Sequence, residues 1–404
     1  MSEMTMNEIE IDSNQLSAKD RAELEKAQPM WKMVLSQFMD HKLAVAGAVI
    51  ISIFLLVAVF AGTIQAVTGL DPDAQNVGNR YLAPMTTASV GLDVRETEIE
   101  RFITDNPEAA DVVQKALVEK GIVAVAEADA IYELGAQEIS KALSDLKSLN
   151  IAETAGLVSM FNNFETFHLF GTDELGRDVF IRLVYGTRVS MGVGVLVAIA
   201  SALIGLLIGS IAGFYGGMID TFLMRVTDAL LSLPHIPVLI VIAAIDLSKI
   251  PWLKAIISTS NESIFKMIII LCLFSWMSVA RLVRGSILSI REREFVLAAK
   301  TLGAKDSTII VRHMFPNVIA PMLVAITLGV GESILFEAAL SFLGLGIMPP
   351  TPSWGNMLNN AQELIYQAPF LAVLPGLLIF LTTVSFNYLG DGLQDAIDPK
   401  AIRR

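Results

Sequence analysis

Hydrophobic positions in this chain gather into long blocks, and polar positions gather between them. Six blocks stand out, at 43–67, 189–213, 222–246, 264–281, 317–340 and 369–389. An α-helix needs about 20 apolar residues to cross a hydrocarbon layer. The pattern therefore predicts an all-α, polytopic membrane protein with six transmembrane helices. LSLPHIP at 231–237 interrupts the third block. Its two prolines remove backbone donors, so that helix is expected to break or kink. The first block exceeds the apolar core of a cleavable leader, which runs about 7–15 residues. It reads as a retained span that starts the fold.

Charge then orients the spans, because cytoplasmic loops are enriched in Lys and Arg. Residues 281–316 hold Arg281, Arg284, Arg291, Arg293, Lys300, Lys305 and Arg312, whereas 341–368 holds no basic residue. Lys400, Arg403 and Arg404 follow the last block. Six spans with these ends inside put both termini, including the polar segment 1–42, in the cytoplasm. Lys249 and Lys254 on the outer side are a minor exception. The expected location is the inner (plasma) membrane, with lipid around the spans.

Residues 68–170 fall outside under this topology and hold 17 acidic against 7 basic residues. Ten of the twelve net negative charges lie there. NPEAADVVQKALVEKG (106–121) predicts a helix, with Asn106 as cap, Pro107 at the first position and Gly121 beyond the end. Val112, Val113, Ala116 and Leu117 form its apolar stripe, and Ile139, Leu143 and Leu146 do the same for a second helix at 137–149. The expectation is a mainly helical extracytoplasmic insertion with an acidic surface. It serves either as a solvated decoration or as a docking surface.

Composition narrows the chemistry. The chain is 53% hydrophobic and 17% charged, against about 25% charged in soluble domains. Its single cysteine, Cys272, lies in an apolar run and reads as a small core hydrophobe. His41, His168, His235 and His313 are dispersed, so neither a metal site nor a cofactor is expected. No G-x-x-x-x-G-K-[ST], H-E-x-x-H or G-x-S-x-G occurs, which removes phosphate cradling and the common hydrolase chemistries. An enzyme is not expected, and no nucleic-acid partner is expected either.

One basic stretch carries the sharpest signal: REREFVLAAKTLGAKDSTIIVRHMFPN, residues 291–317. Phe295, Ala298, Ala299 and Leu302 share one stripe of a helix over 292–302, and Gly303 suits its stop. Asp306 or Ser307 is placed to cap a second short helix running to Phe315, before Pro316. Two short helices joined at a glycine form a knob with an apolar patch inside a rim of Arg291, Arg293, Lys300 and Lys305. A patch of that kind marks a protein contact. The bland alternative is a turn glycine with basic residues that only signal topology.

The spacing resembles the EAA motif of ABC-importer permeases: E-A-A, three residues, Gly, nine residues, then I-x-L-P. It matches at Ala298, Ala299, Gly303 and Pro316, and departs at Leu297, His313 and Phe315. GTDELGRDVFIRLVYGTRVS (171–190), GFYGGMIDTFLMRVTDALLSLP (213–234), EAALSFLGLGIMPPTPSWGNML (337–358) and FNYLGDGLQDAIDPK (386–400) are similar to the C-type permease subunit of dipeptide and oligopeptide importers. The resemblance covers roughly 30–67 and 168–404, not 85–165. It implies a type I importer permease fold whose core, 171–404, carries spans two to six. It further implies a second homologous permease subunit, one or two ABC ATPase subunits, an extracytoplasmic substrate-binding protein and a peptide substrate. Phe295, Ala298, Ala299, Gly303, Ala304, Arg293, Lys300 and Pro316 are then the ATPase-coupling residues. Nickel chelates, glutathione and antimicrobial peptides are the alternative cargoes, and an ion-coupled secondary transporter is the rival class.

Polar residues within the apolar blocks complete the picture. Asp228, Glu332 and Glu337 lie in or near spans, where ionisable groups face an interior, a cavity or a partner. Each is a candidate for the translocation path or for a structural pairing. Arg225, one turn from Asp228, is its expected partner, and backbone donors or a neighbouring subunit are expected for Glu337. Asp173, Arg177 and Asp178 suggest a charge-laced turn that orients the second span. Pro349, Pro350, Pro352 and Trp354 suggest a stiff outer loop that docks the binding protein.

Overall fold

The computed structural model describes residues 30–75, 77–89, 165–245, 262–359 and 361–397. The two helices expected at 106–121 and 137–149 lie outside these residues. Helix α1 (Met30–Asp40) leads into α2 (Lys42–Val59), which gives way at Phe60 to α3 (Ala61–Thr68). Thr86–Ser89 (β1) and Glu165–His168 (β2) then pair antiparallel, with Thr86 opposite His168. This small ribbon departs from a purely helical expectation. It brings together the two ends of the segment between them.

Five helices are long and apolar enough to cross a membrane, and a sixth span results if one bent pair counts as one. Besides α2 they are α4 (Val179–Tyr215), α7 (Glu262–Arg291), the rod Asp306–Phe342 and α10 (Phe370–Ile397). The bent pair is α5 (Gly217–Leu231) with α6 (His235–Ala244), which meet at 85°. The break falls at the prolines where the sequence placed it. Its physical cause is plain: Pro234 occupies the junction with φ near −67° and ψ near 113°, outside the helical region. At 37 residues α4 is about 55 Å long, well beyond a ~30 Å hydrocarbon layer. It joins the ribbon end of the bundle to the opposite end.

The tightest packing runs between α4 and α7. Gly205, Gly209 and Gly213 recur every fourth residue, so they form one stripe along α4. A β-carbon added at Gly205 would lie 2.7 Å from Val279 Cβ and 2.8 Å from the Trp276 carbonyl oxygen. At Gly213 it would lie 2.8 Å from Ile287 Cγ2. Small residues at this spacing let two helix backbones touch, which is how helices associate where lipid supplies no hydrophobic drive.

Apolar clusters fill the bundle, two of them between its spans. One joins α2, α4, α10 and the rod Asp306–Phe342 through Ile51, Met191, Phe386 and Ile334, with Trp354 from the loop that follows the rod. Another joins α4, α6 and α7 through Val197, Leu239, Met267, Leu271 and Met277. Cys272 packs against this second cluster, its Sγ 3.8 Å from the Val197 carbonyl oxygen, as a small hydrophobe would.

At the ribbon end, GTDELGRD folds into a buried turn. Asp178 caps α4 by accepting from Ile181 N (3.0 Å), and its other oxygen lies 2.7 Å from His168 Nδ1 on β2. Asp173 accepts from Leu175 N (2.9 Å), Arg177 N (3.0 Å) and Arg177 Nε (2.7 Å), with Arg182 Nε at 3.4 Å. Both arginines and both aspartates are buried. The charge-laced turn expected from the sequence does orient α4. Asp173→Ala removes the carboxylate shared by two buried cations, leaving Arg177 its contact with Glu174 (3.3 Å) and Arg182 its bond to the Pro72 carbonyl oxygen (3.0 Å), so a loss of about 3 kcal/mol is expected. Disrupting the exposed Asp228–Arg281 pair with Asp228→Asn is expected to cost about 1 kcal/mol or less. Thermal denaturation of the two variants in detergent checks the contrast.

Candidate functional site: the exposed knob and its anchorage

Helix α7 ends at Arg291, and after an extended Arg293 the chain enters α8 (Glu294–Thr301). Period 3.6 splits α8 into two faces. Val296 and Ala299 turn inward and pack with Phe214, Ile287, Ile309, Met314 and Val318. Phe295, Ala298 and Leu302 turn outward; Phe295 is 42% and Leu302 87% exposed. The stripe expected from the sequence is therefore divided. Ala299 belongs to the core, and the exposed apolar patch is Phe295, Ala298 and Leu302, flanked by Leu297.

The stop of α8 depends on Gly303, whose φ is +78°. Gly303 N donates to Lys300 O (2.9 Å) and Ala304 N to Ala299 O (3.0 Å). These two bonds form a Schellman cap, which needs a left-handed residue at Gly303's place. A β-carbon there would meet nothing within 4 Å. The glycine is thus required by backbone angle and leaves open space beside it. Ala304 packs partly into the inner cluster.

Beyond Lys305 the structure corrects the expected hairpin. Neither Asp306 nor Ser307 caps a separate helix, because Lys305 is the cap residue and no side chain bonds there. Residues 306–308 pass through a π-helical stretch, Ile309–Met314, directly into α9 (Phe315–Phe342). Pro316 lies in the first turn of α9, where a missing donor is tolerated. Asn317 Nδ2 donates to the His313 carbonyl oxygen across the same turn (2.8 Å). The second arm of the knob is therefore the continuation of a span.

Two basic residues bolt the knob to α4. Arg291 Nη1 donates to the carbonyl oxygens of Gly213 (3.3 Å) and Phe214 (3.4 Å), the last carbonyls of α4. A cation there also suits the negative end of the helix dipole. Lys300 Nζ sits 5.1 Å from the centre of the Phe214 ring. Arg293, Lys305 and Pro316 are exposed around the patch. Arg291's capping role was not read from the sequence, and a Lys/Arg near a helix end is the signal that could have suggested it.

The polar residues of the spans separate into distinct cases. Asp228 pairs with Arg281 at 2.6 Å, not with Arg225. Asp220 and Arg284 form a two-pronged pair one level along the same α5–α7 contact. Cross-helix partners are nearer than the expected one along the helix. Glu337 is fully buried, and its oxygens accept from Ser190 Oγ (3.0 Å) and Ser341 Oγ (2.8 Å). Those hydroxyls in turn accept from Trp354 N (3.1 Å) and Ile347 N (3.0 Å). Glu337 thereby ties α4 and α9 to the 342–357 loop within this chain; the expected backbone donors act through serine hydroxyls. Glu332 is exposed on α9.

That loop corrects another expectation. Trp354 is fully buried, donates Nε1 to Leu183 O (3.4 Å) and meets Phe54 edge to face at 6.0 Å. Pro352 is buried as well. The loop doubles back into the bundle, so neither side chain is free for docking. Met348, Pro349 and Pro350 remain exposed at its tip.

The described residues thus form a bundle of helices long and apolar enough to cross a membrane, with an exposed apolar knob beyond α7 and with Asp173, Asp178 and Glu337 engaged in structural contacts. Comparison with known proteins gives the family. The binding-protein-dependent transport system inner membrane component matches residues 205–403, and the N-terminal TM domain of oligopeptide transport permease C matches residues 29–84. The chain belongs to this family of transporter permeases. It is 42% identical over 233 residues to the dipeptide transport system permease protein DppC of Alkalihalophilus pseudofirmus, covering 58% of this chain and 72% of that one. The glutathione transport system permease proteins GsiD of Pectobacterium atrosepticum (39%, covering 58% and 73%) and Escherichia coli (42%, covering 58% and 72%) are similar. A chain of the inward-facing MetNI methionine ABC transporter aligns at 19% identity and a TM-score of 0.41, over 54% of this chain and 97% of that one. The assignment rests on the sequence relatives.

Proposed function

We propose that this chain is one membrane-spanning subunit of an ATP-driven importer of short peptides, and that the knob at 291–317 is the part its ATPase grips. The observation that carries the reading is the outward patch of Phe295, Ala298 and Leu302 on a knob fixed to α4 and continuous with α9. The names of its relatives, dipeptide and glutathione permeases, support the substrate class.

In this reading the knob faces the cytoplasm with both termini. A second permease subunit completes the pore, and a binding protein delivers peptide from outside, meeting the tip at Met348, Pro349 and Pro350. Closure of the ATPase subunits displaces the knob as a rigid body. Arg291 and Lys300 pass the displacement to α4, and the unbroken chain through the π-turn passes it to α9. The bundle then exchanges two packings, as a two-state element biased by a partner does. No atom of this chain takes part in ATP hydrolysis.

The test is uptake of a labelled dipeptide by vesicles containing the assembled transporter. Uptake is expected to stop when ATP is withheld and to persist when the proton gradient is collapsed. The reverse pattern would assign the chain to an ion-coupled carrier.

A further inference from the structure

Helix α1 is not needed to cross the membrane. At 18 residues α2 is about 27 Å long, close to the ~30 Å hydrocarbon layer, and α3 extends it. Between α1 and α2 the backbone leaves the helical region at His41, whose ψ is 87°. His41 Nδ1 accepts from Ala44 N (3.1 Å), so α2 has a capped start of its own. Helix α1 is therefore a separate element at the edge of the first span.

The end of α10 fixes its place in the bundle. A β-carbon added at Gly392 would lie 2.1 Å from Ala44 Cβ and 3.5 Å from Phe38 Cε2. His41 Nε2 lies 3.9 Å from Asp395 Oδ2. The last turns of α10 thus hold the junction between α1 and α2. Beyond the other end of α2, Ala61 packs with Ile181 and Val184 at the ribbon end of α4. Helix α1 accordingly stands at the end of the bundle that carries the knob.

Around its axis α1 shows three sides. At about 100° per residue, Val34, Gln37 and Phe38 fall within one sector, and all three are half-buried. Leu35 and Met39 follow at about 60° and 100° from Phe38; they are apolar, yet 52% and 58% exposed. Lys32, Ser36 and Asp40 come next, at about 120° to 200°, and are exposed as well. An uncovered apolar side thus lies between a side packed on protein and a polar side. Leu43, in the first turn of α2, takes up the apolar surface again, and Val49, Ile53 and Leu56 carry it along the span. On a helix that crosses a membrane such a row faces acyl chains. An apolar side with a polar flank is also the pattern of helices that lie in the membrane surface.

We propose that α1 lies along the membrane surface at the knob end, with Leu35 and Met39 set into the phospholipid leaflet. Lys32, Ser36 and Asp40 then point to the headgroups and water, and the Phe38 side rests on α10. Helices of this kind bury their apolar face about 5–10 Å into the boundary between headgroups and acyl chains. Helix α1 becomes a brace, one side on the last turns of α10 and one side in lipid. The placement holds whatever the bundle carries, so it does not depend on the importer reading.

The experiment uses the full transporter, with its partner subunits, in nanodiscs of phosphatidylcholine and phosphatidylglycerol. In a Cys272→Ala background, Leu35→Cys, Met39→Cys, Ser36→Cys and Asp40→Cys each carry a bimane label on the one thiol. A lipid with a nitroxide on its upper acyl chain is expected to remove most of the emission from residues 35 and 39. Iodide in the buffer is expected to remove most of the emission from residues 36 and 40 and little from the other two. Equal iodide quenching at all four positions overturns the proposal, because α1 then stands in water. Labels at 35 and 39 that are shielded from both quenchers also overturn it, by showing that protein covers that side. Stronger quenching of 35 and 39 by a nitroxide at the methyl end of the chain overturns it too, since α1 would then be part of the span.

Discussion

Leu302→Asp is expected to abolish ATP-driven uptake while the bundle stays folded. Leu302 is 87% exposed and buries almost nothing in the chain itself. Surface substitutions of that kind usually move stability by no more than about 0.5 kcal/mol. In the assembly the same position would sit at the centre of a dry apolar contact with the ATPase. Loss of a central anchor typically costs about 2 kcal/mol or more, roughly thirtyfold in affinity, and an added carboxylate there deepens the loss. Co-purification of the ATPase subunit, paired with a melting curve of the permease, measures both halves of the expectation. Val296→Asp supplies the contrast. Val296 is fully buried beneath the same helix, so this change is expected to loosen the knob itself and lower the melting temperature.

Gly209→Val is expected to prevent the permease from accumulating as a folded protein. The added β-carbon would fall onto the Ala280 carbonyl oxygen, 2.9 Å from Val283 Cβ and 3.0 Å from Arg284 N. Two of those three atoms are backbone in the middle of α7, which cannot turn aside as a side chain can. Overpacking costs about 1–3 kcal/mol and occasionally more, and this site belongs at the upper end. Gly192→Ala is the control on the same helix, because an added β-carbon there meets nothing within 4 Å. Membrane abundance and detergent melting of the two variants check the difference.

Much of this architecture was legible in the order of residues. Apolar blocks of span length have only one stable use in a membrane, so the helices fell where expected, and the prolines of 231–237 marked the break. The stop at Gly303 was readable because only glycine takes that backbone angle without strain. Partner choice across helices was less accessible. Arg225 is one turn from Asp228, yet Arg281 reaches it from α7, and nothing in local spacing encodes that approach. Trp354 read as part of an outer docking loop, since a proline-rich loop gives no sign that it turns back into the core. The glycine stripe at 205, 209 and 213 was present in the sequence as a four-residue repeat. Its meaning became clear only with α7 lying against it. Pro316 suggested a helix boundary, but the wider π-turn at Ile309–Met314 precedes it and the helix runs on through the proline. The second arm of the knob was therefore read as separate when it is one rod with α9.

The most direct measurement places a single thiol at the knob surface, Ala298→Cys with Cys272→Ala, in the assembled transporter during peptide uptake. The predicted result is a crosslink from residue 298 to the ATPase subunit, together with protection from water-soluble maleimide. A thiol at 298 that remains freely reactive while ATP-driven uptake proceeds would contradict the view that a separate motor drives this bundle through its knob.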